Sequence, residues 1–160
     1  MLRRSFMEIR RGIESSTVTG WLTNDHDRLD VLLAEVSALV EDGDLARGRT
    51  CFREFDRGLE RHLRLEEELL FPRLERLAAT AAGVTRVLHD DHRTIARSAA
   101  VTRGAVERGD PAGFRAAVRA MLMVLRDHFA REEEALFPTM DRALGRSERA
   151  ELVQRMALAR

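Results

Sequence analysis

No lysine occurs anywhere in the 160 residues, and the chain has one cysteine, one tryptophan and three prolines. Arginine therefore carries all the fixed positive charge, and its 27 side chains are balanced by 27 acidic ones. Nucleic-acid binding normally needs a net basic field or stripe, so that class of partner is excluded. The missing lysine reads as coding bias rather than chemistry. A lone cysteine, Cys51, excludes an intramolecular disulfide framework and any Cys-rich zinc or iron–sulfur site. No apolar run approaches the ~20 residues needed to cross a bilayer, so no membrane partner is expected. Met1-Leu2-Arg3-Arg4 is basic, but no apolar stretch follows it, so it does not read as a secretory signal. The expected location is cytoplasmic. The length fits one domain, able to bury roughly 70% of the surface of its unfolded chain.

What the chain does contain is a duplication. His62-Leu63-Arg64-Leu65-Glu66-Glu67-Glu68-Leu69-Leu70-Phe71-Pro72 returns 66 residues later as His128-Phe129-Ala130-Arg131-Glu132-Glu133-Glu134-Ala135-Leu136-Phe137-Pro138. Asp25-His26 and Asp91-His92 repeat at the same offset, as do Gly43-Asp44 and Gly109-Asp110. Aligned without a gap, residues 24–72 and 90–138 share 18 identities in 49 positions. A fixed internal period means a duplicated structural unit.

Apolar spacing makes that unit a helical hairpin. Leu22, His26, Leu29, Leu33, Val36 and Val40 step by three and four, which predicts a helix from about Thr19 or Leu22 to Val40. Gly43 breaks it, and Asp44 caps a second helix bearing Phe52, Phe55, Leu59, His62, Glu66 and Leu69. That helix kinks at Pro72 and ends near Gly83. A third helix runs from Thr85 to Val106. A fourth begins after the Asp110 cap with Pro111 as first residue, carries Phe114, Val118, Met121, Leu125, His128 and Glu132 inward, kinks at Pro138 and stops at Gly145. Ser147 caps a terminal helix. The expected class is all-α, an antiparallel up-down four-helix bundle over residues 19–145. An N-terminal extension over 1–18 and a C-terminal helix over 146–160 flank it, each with a short extra helix.

On a helix, residues four apart share one face, so each His-x-x-x-Glu offers an imidazole and a carboxylate to one cation. All five histidines, His26, His62, His89, His92 and His128, fall on inward stripes with Glu66 and Glu132. One histidine on an apolar face is usually a satisfied core residue. Seven buried polar groups without partners would cost at least ~1–3 kcal/mol each, and a bound metal satisfies them together. Glu67, Glu68, Glu133 and Glu134 rotate off the ligand face and read as a solvated acidic surface pairing with arginines. Cys51, about three turns before His62, reads as packing. The Phe-Pro pairs close one end of the bundle, and Trp21 is either bundle-end packing or a pocket wall. His89, whose counterpart is Thr23, is taken as a ligand, with a hydrogen-bonding role beside the metal as the competing reading.

The order His26, His62-x-x-x-Glu66, His92, His128-x-x-x-Glu132, with its Asp-His starts and two Glu-x-x-Leu-Phe-Pro sequences, resembles the bacterial hemerythrin-like (HHE cation-binding) domain over roughly residues 20–145. The resemblance implies a four-helix bundle holding two non-haem iron ions, oxo- or hydroxo-bridged, with zinc or manganese as alternatives. It also implies His26, His62, His92 and His128 as terminal ligands and Glu66 and Glu132 as bridges. Respiratory hemerythrins space their third-helix histidines as His-x-x-x-His, whereas His89 and His92 are one residue closer. They also use a longer His-to-Asp spacing in the last helix. Both departures speak against simple reversible oxygen carriage. The function expected is binding or sensing of a small ligand: oxygen, nitric oxide or peroxide. The alternatives are a di-iron enzyme of peroxide or nitric oxide detoxification or iron-centre repair, and an iron-responsive regulatory module.

Overall fold

A computed structural model describes residues 17–77 and 81–159. Helix α1 spans Val18–Glu41 and α2 spans Leu45–Leu65. A π-helical turn at Glu66–Leu70 joins α2 to α3, Phe71–Leu77. Helix α4 is Ala81–Arg108 and α5 is Pro111–Arg131. A second π turn, Glu132–Leu136, leads into α6, Phe137–Ala143, and α7 is Arg146–Leu158. No strand occurs among the described residues, and no helix there is long and apolar enough to cross a membrane. The N-terminal helix expected within 1–18 falls almost wholly outside the described residues.

Helix α1 packs along α2 and α4 along α5, and the two pairs meet through α2 with α4 and α1 with α5. The connecting turns repeat the same glycine conformation and the same closing and capping bonds. Gly43 and Gly109 take positive φ values of 79° and 63°, which glycine adopts without a Cβ clash. Asp44 N–H donates to Leu39 O and Asp110 N–H to Ala105 O, closing the preceding helix ends. The Asp44 and Asp110 carboxylates then accept from Arg47 N–H and Gly113 N–H, capping the next helices.

Three local expectations are corrected. The third long helix starts at Ala81, not Thr85. Gly83 lies inside its first turn, and Thr85 bonds back to Ala81 O and to Glu75 Oε1 rather than capping. The simple kinks expected at Pro72 and Pro138 are π turns ending just before each Phe-Pro pair. Phe71 N–H reaches Glu66 O and Phe137 N–H reaches Glu132 O, and the wider turn relieves the clash a proline ring makes with the carbonyl one turn back. Gly145, not Ser147, is the N-cap of α7, where Glu148 accepts its N–H at 3.0 Å.

Burial divides the interior into two apolar clusters. One holds Leu29, Leu33, Leu59, Ile95 and Leu125; the other holds Leu22, Leu65, Leu70, Leu88 and Leu136. Each inward histidine lies in sequence between a member of each, so a polar layer is clamped between two dry ones. Trp21 belongs to the second cluster, with the Arg61 guanidinium 5.3 Å above its ring. Arg61 also donates to Met156 O and Ala159 O. Trp21 is thus bundle-end packing that helps seat α7.

Asp141 of α6 holds the start of α1, accepting from Val18 N–H at 2.8 Å, Thr19 N–H at 3.0 Å and the Thr19 hydroxyl at 2.6 Å. Asp141→Ala should cost about 1–2 kcal/mol, read as a lower denaturation midpoint at an unchanged slope.

Candidate metal centre

His26 comes from α1, His62 from α2, His92 from α4 and His128 from α5, while Glu66 and Glu132 open the two π turns. All six are buried. Their ligating atoms fall into two groups, His26–His62–Glu66–Glu132 and Glu66–His92–His128–Glu132, each lying within 4.8 Å of one another. The carboxylates divide between them. Glu66 places Oε1 3.3 Å from His62 Nε2 and Oε2 3.3 Å from His92 Nε2. Glu132 places Oε1 3.1 Å from His128 Nε2 and Oε2 3.5 Å from His26 Nε2. The His26 and His62 Nε2 atoms are 3.0 Å apart, near the separation of two ligands at right angles on an ion with bonds of roughly 2.0–2.1 Å.

A carboxylate backs each ring. His26 Nδ1 donates to Glu133 Oε1 at 2.7 Å, His92 Nδ1 to Glu67 Oε1 at 2.8 Å and His62 Nδ1 to Asp25 Oδ2 at 3.1 Å. His128 Nδ1 faces Asp91 Oδ2 at 3.5 Å without a hydrogen bond, and Arg131 draws that carboxylate away at 2.5 Å. An ionised carboxylate only accepts, so the bonded Nδ1 atoms carry a proton and Nε2 is the nitrogen that faces inward. All four oxygens of Glu66 and Glu132, and Nε2 of His92 and His128, have no hydrogen-bond partner. Buried groups in that state are costly, and cations at the two groups would satisfy all six atoms. The donor set fits a metal.

The family model of the hemerythrin HHE cation-binding domain matches residues 17–140, and again residues 83–157. The chain belongs to the hemerythrin HHE cation-binding domain family. The second match begins 66 residues after the first, the offset of the internal repeat. No curated protein and no solved structure matches the chain.

Electrostatics in this hemerythrin domain favour a cation. Burial alone would raise the Glu66 pKa, but the charge on His62 and the close imidazoles of His128, His62 and His92 hold it well below the usual range. Burial, then the Glu66 charge, push Glu132 well above it. Burial opposes charge on His62, yet Glu66 and the Asp25 hydrogen bond raise its pKa to about 9. His26 falls to about 2, through burial and then the His62 charge. Without a cation, one carboxylate is ionised against a protonated imidazole and the other favours its neutral form. A bound cation would let both carboxylates ionise, with release of protons.

The hemerythrin centre departs from the sequence expectations at two places. His89 is not brought into either four-residue group. Three residues from His92, it is rotated about 60° from it on an α-helix, and its side chain is 41% exposed with Nδ1 3.2 Å from Glu67 Oε1. Glu67 and Glu133, expected to pair with arginines in solvent, instead accept from two of the inward histidines. Glu68 and Glu134 are exposed. Phe71 and Phe137 do more than close an end: their rings pack 5.4 Å from His92 and 5.5 Å from His26. Cys51 stays apart, with Sγ 3.6 Å from Leu32 O and its thiol pushed up to about 11 by burial and then nearby glutamates.

Proposed function

We propose that this domain holds two metal ions, iron in the cell, in an up-down four-helix bundle of two hairpins. His26 and His62 ligate one ion, His92 and His128 the other, and Glu66 and Glu132 bridge them. The observation that carries this reading is the division of both carboxylates: each turns one oxygen toward each imidazole pair. A mixed imidazole and carboxylate set suits iron, manganese or zinc, and the family resemblance favours iron. Bound iron supplies redox change and a coordination position for an exogenous ligand.

Binding or sensing of a small molecule such as oxygen, nitric oxide or peroxide is the activity that best fits. A cavity of about 410 Å³ between α1 and α5 supports it, because His26, Phe129 and Glu133 line it beside the centre. Leu33, Leu122 and Leu125 give the cavity an apolar side, and Asp27, Asp30 and Arg126 a charged one. Elemental analysis of protein purified aerobically should return two metal ions per chain, mainly iron. Nitric oxide added to the reduced protein should change its spectrum. One zinc ion bound by a single His-x-x-x-Glu pair, with the other pair empty under excess iron, would falsify the dinuclear reading.

A further inference from the structure

Around the metal centre the 66-residue repeat is close to symmetric, which singles out the residues that break it. His26 and His92 are equivalent rings, and each gives its Nδ1 hydrogen to an equivalent glutamate: Glu133 at 2.7 Å and Glu67 at 2.8 Å. Among the described residues Glu133 takes its hydrogen bond from His26 alone, and Thr23 nearby lines the α1–α5 cavity. Glu67 is shared. Its Oε1 also lies 3.2 Å from Nδ1 of His89, which stands where the other half has Thr23. Phe71 holds the His89 ring edge-on, with centroids 5.1 Å apart.

A carboxylate on Nδ1 makes the opposite ring nitrogen a better metal donor and fixes the ring's orientation. An oxygen accepting two N–H bonds has less negative charge for either. We propose that His89 is a positioning residue that pins Glu67 and divides its hydrogen bonding between two imidazoles, making His92 a weaker donor than His26 and the two metal positions inequivalent. This inference rests on the dinuclear reading above. It removes His89 from the ligand set and gives it control over one ligand.

Cadmium-113 NMR of protein loaded with two equivalents of cadmium tests it, because each shift follows the donor strength around its own ion. The wild type should show two separated resonances. His89→Thr, which copies the residue at position 23, should move one of them and leave the other in place. Thr23→His should move the other. His89→Gln, whose amide can also donate to Glu67, should keep the wild-type pair. Phe129, stacked 3.6 Å from His26, is replaced by Leu63 in the other half and also breaks the symmetry. The readout is therefore movement of one resonance, not equality of the two. The half-exposed His89 tolerates substitution better than a buried ligand, and Thr23→His provides an independent variant. Two bound cadmium ions with both resonances unmoved in His89→Thr would overturn the role given to His89. Fewer than two cadmium ions in the wild type would overturn the dinuclear reading instead.

Discussion

Glu66→Ala and Glu132→Ala should each lose both metal ions, while His26→Ala keeps the one between His92 and His128. Every position has four candidate donors, and Glu66 and Glu132 belong to both sets. Removing either carboxylate leaves three donors on both sides at once. It also leaves the opposing carboxylate as the only side chain shared by the two positions. Loss of an outer hydrogen-bond partner commonly weakens metal binding about 10–100-fold, and loss of a direct bridging ligand should exceed that at both positions. His26 belongs to one set only. Metal-to-protein ratios after dialysis into metal-free buffer distinguish the cases: close to zero for both glutamate variants and close to one for His26→Ala. Equal losses in all three would argue against bridging.

How much of this was legible depended on which residues repeat and on which helical geometry carries them. His62 with Glu66 and His128 with Glu132 were readable because a four-residue step keeps both side chains on one face, and the second copy makes coincidence improbable. His26 and His92 followed from the apolar stripes around them. The Gly-Asp turns were equally plain, because a positive φ and a cap each call for a particular residue type.

Glu67 and Glu133 were not readable from an α-helical wheel, which turns them about 100° from the ligand face. Both lie inside π turns, where more residues complete a turn and the angular step per residue shrinks. They therefore stay closer to the ligand face and reach a histidine on the neighbouring hairpin. Apolar spacing carries no mark of a π turn. The usable signal was the recurrence of proline six residues after each bridging glutamate, Glu66 to Pro72 and Glu132 to Pro138, where an uninterrupted α-helix meets a steric clash. The place of His89 was hard to read for the opposite reason. A three-residue step looks inward on a pattern, but it turns the ring toward the seam between α2 and α4, where Glu67 was waiting.

The metal-free protein should be much less stable than the loaded one, and the order of Glu132→Gln and the wild type should invert between those two states. A ligand that binds only the folded state at about a thousandfold over its Kd adds about 4 kcal/mol. For a domain of this size that raises the midpoint by on the order of 10 °C, so stripping the metal with a chelator should lower Tm by a similar amount. What remains in the stripped centre is two carboxylates enclosed together, Glu66 held ionised and Glu132 pushed toward its neutral form by burial and by Glu66. Their four oxygens have no hydrogen-bond partner. Glutamine at 132 is neutral without having to take up a proton and brings an N–H₂ donor for Glu66, so stripped Glu132→Gln should melt above the stripped wild type. Under saturating metal the order should reverse, because a neutral amide is a poor bridge between two cations and the loaded wild type keeps its full gain. Thermal denaturation of both proteins, stripped and reloaded, checks the crossing. A variant less stable than the wild type in both states would mean that Glu132 serves packing rather than metal.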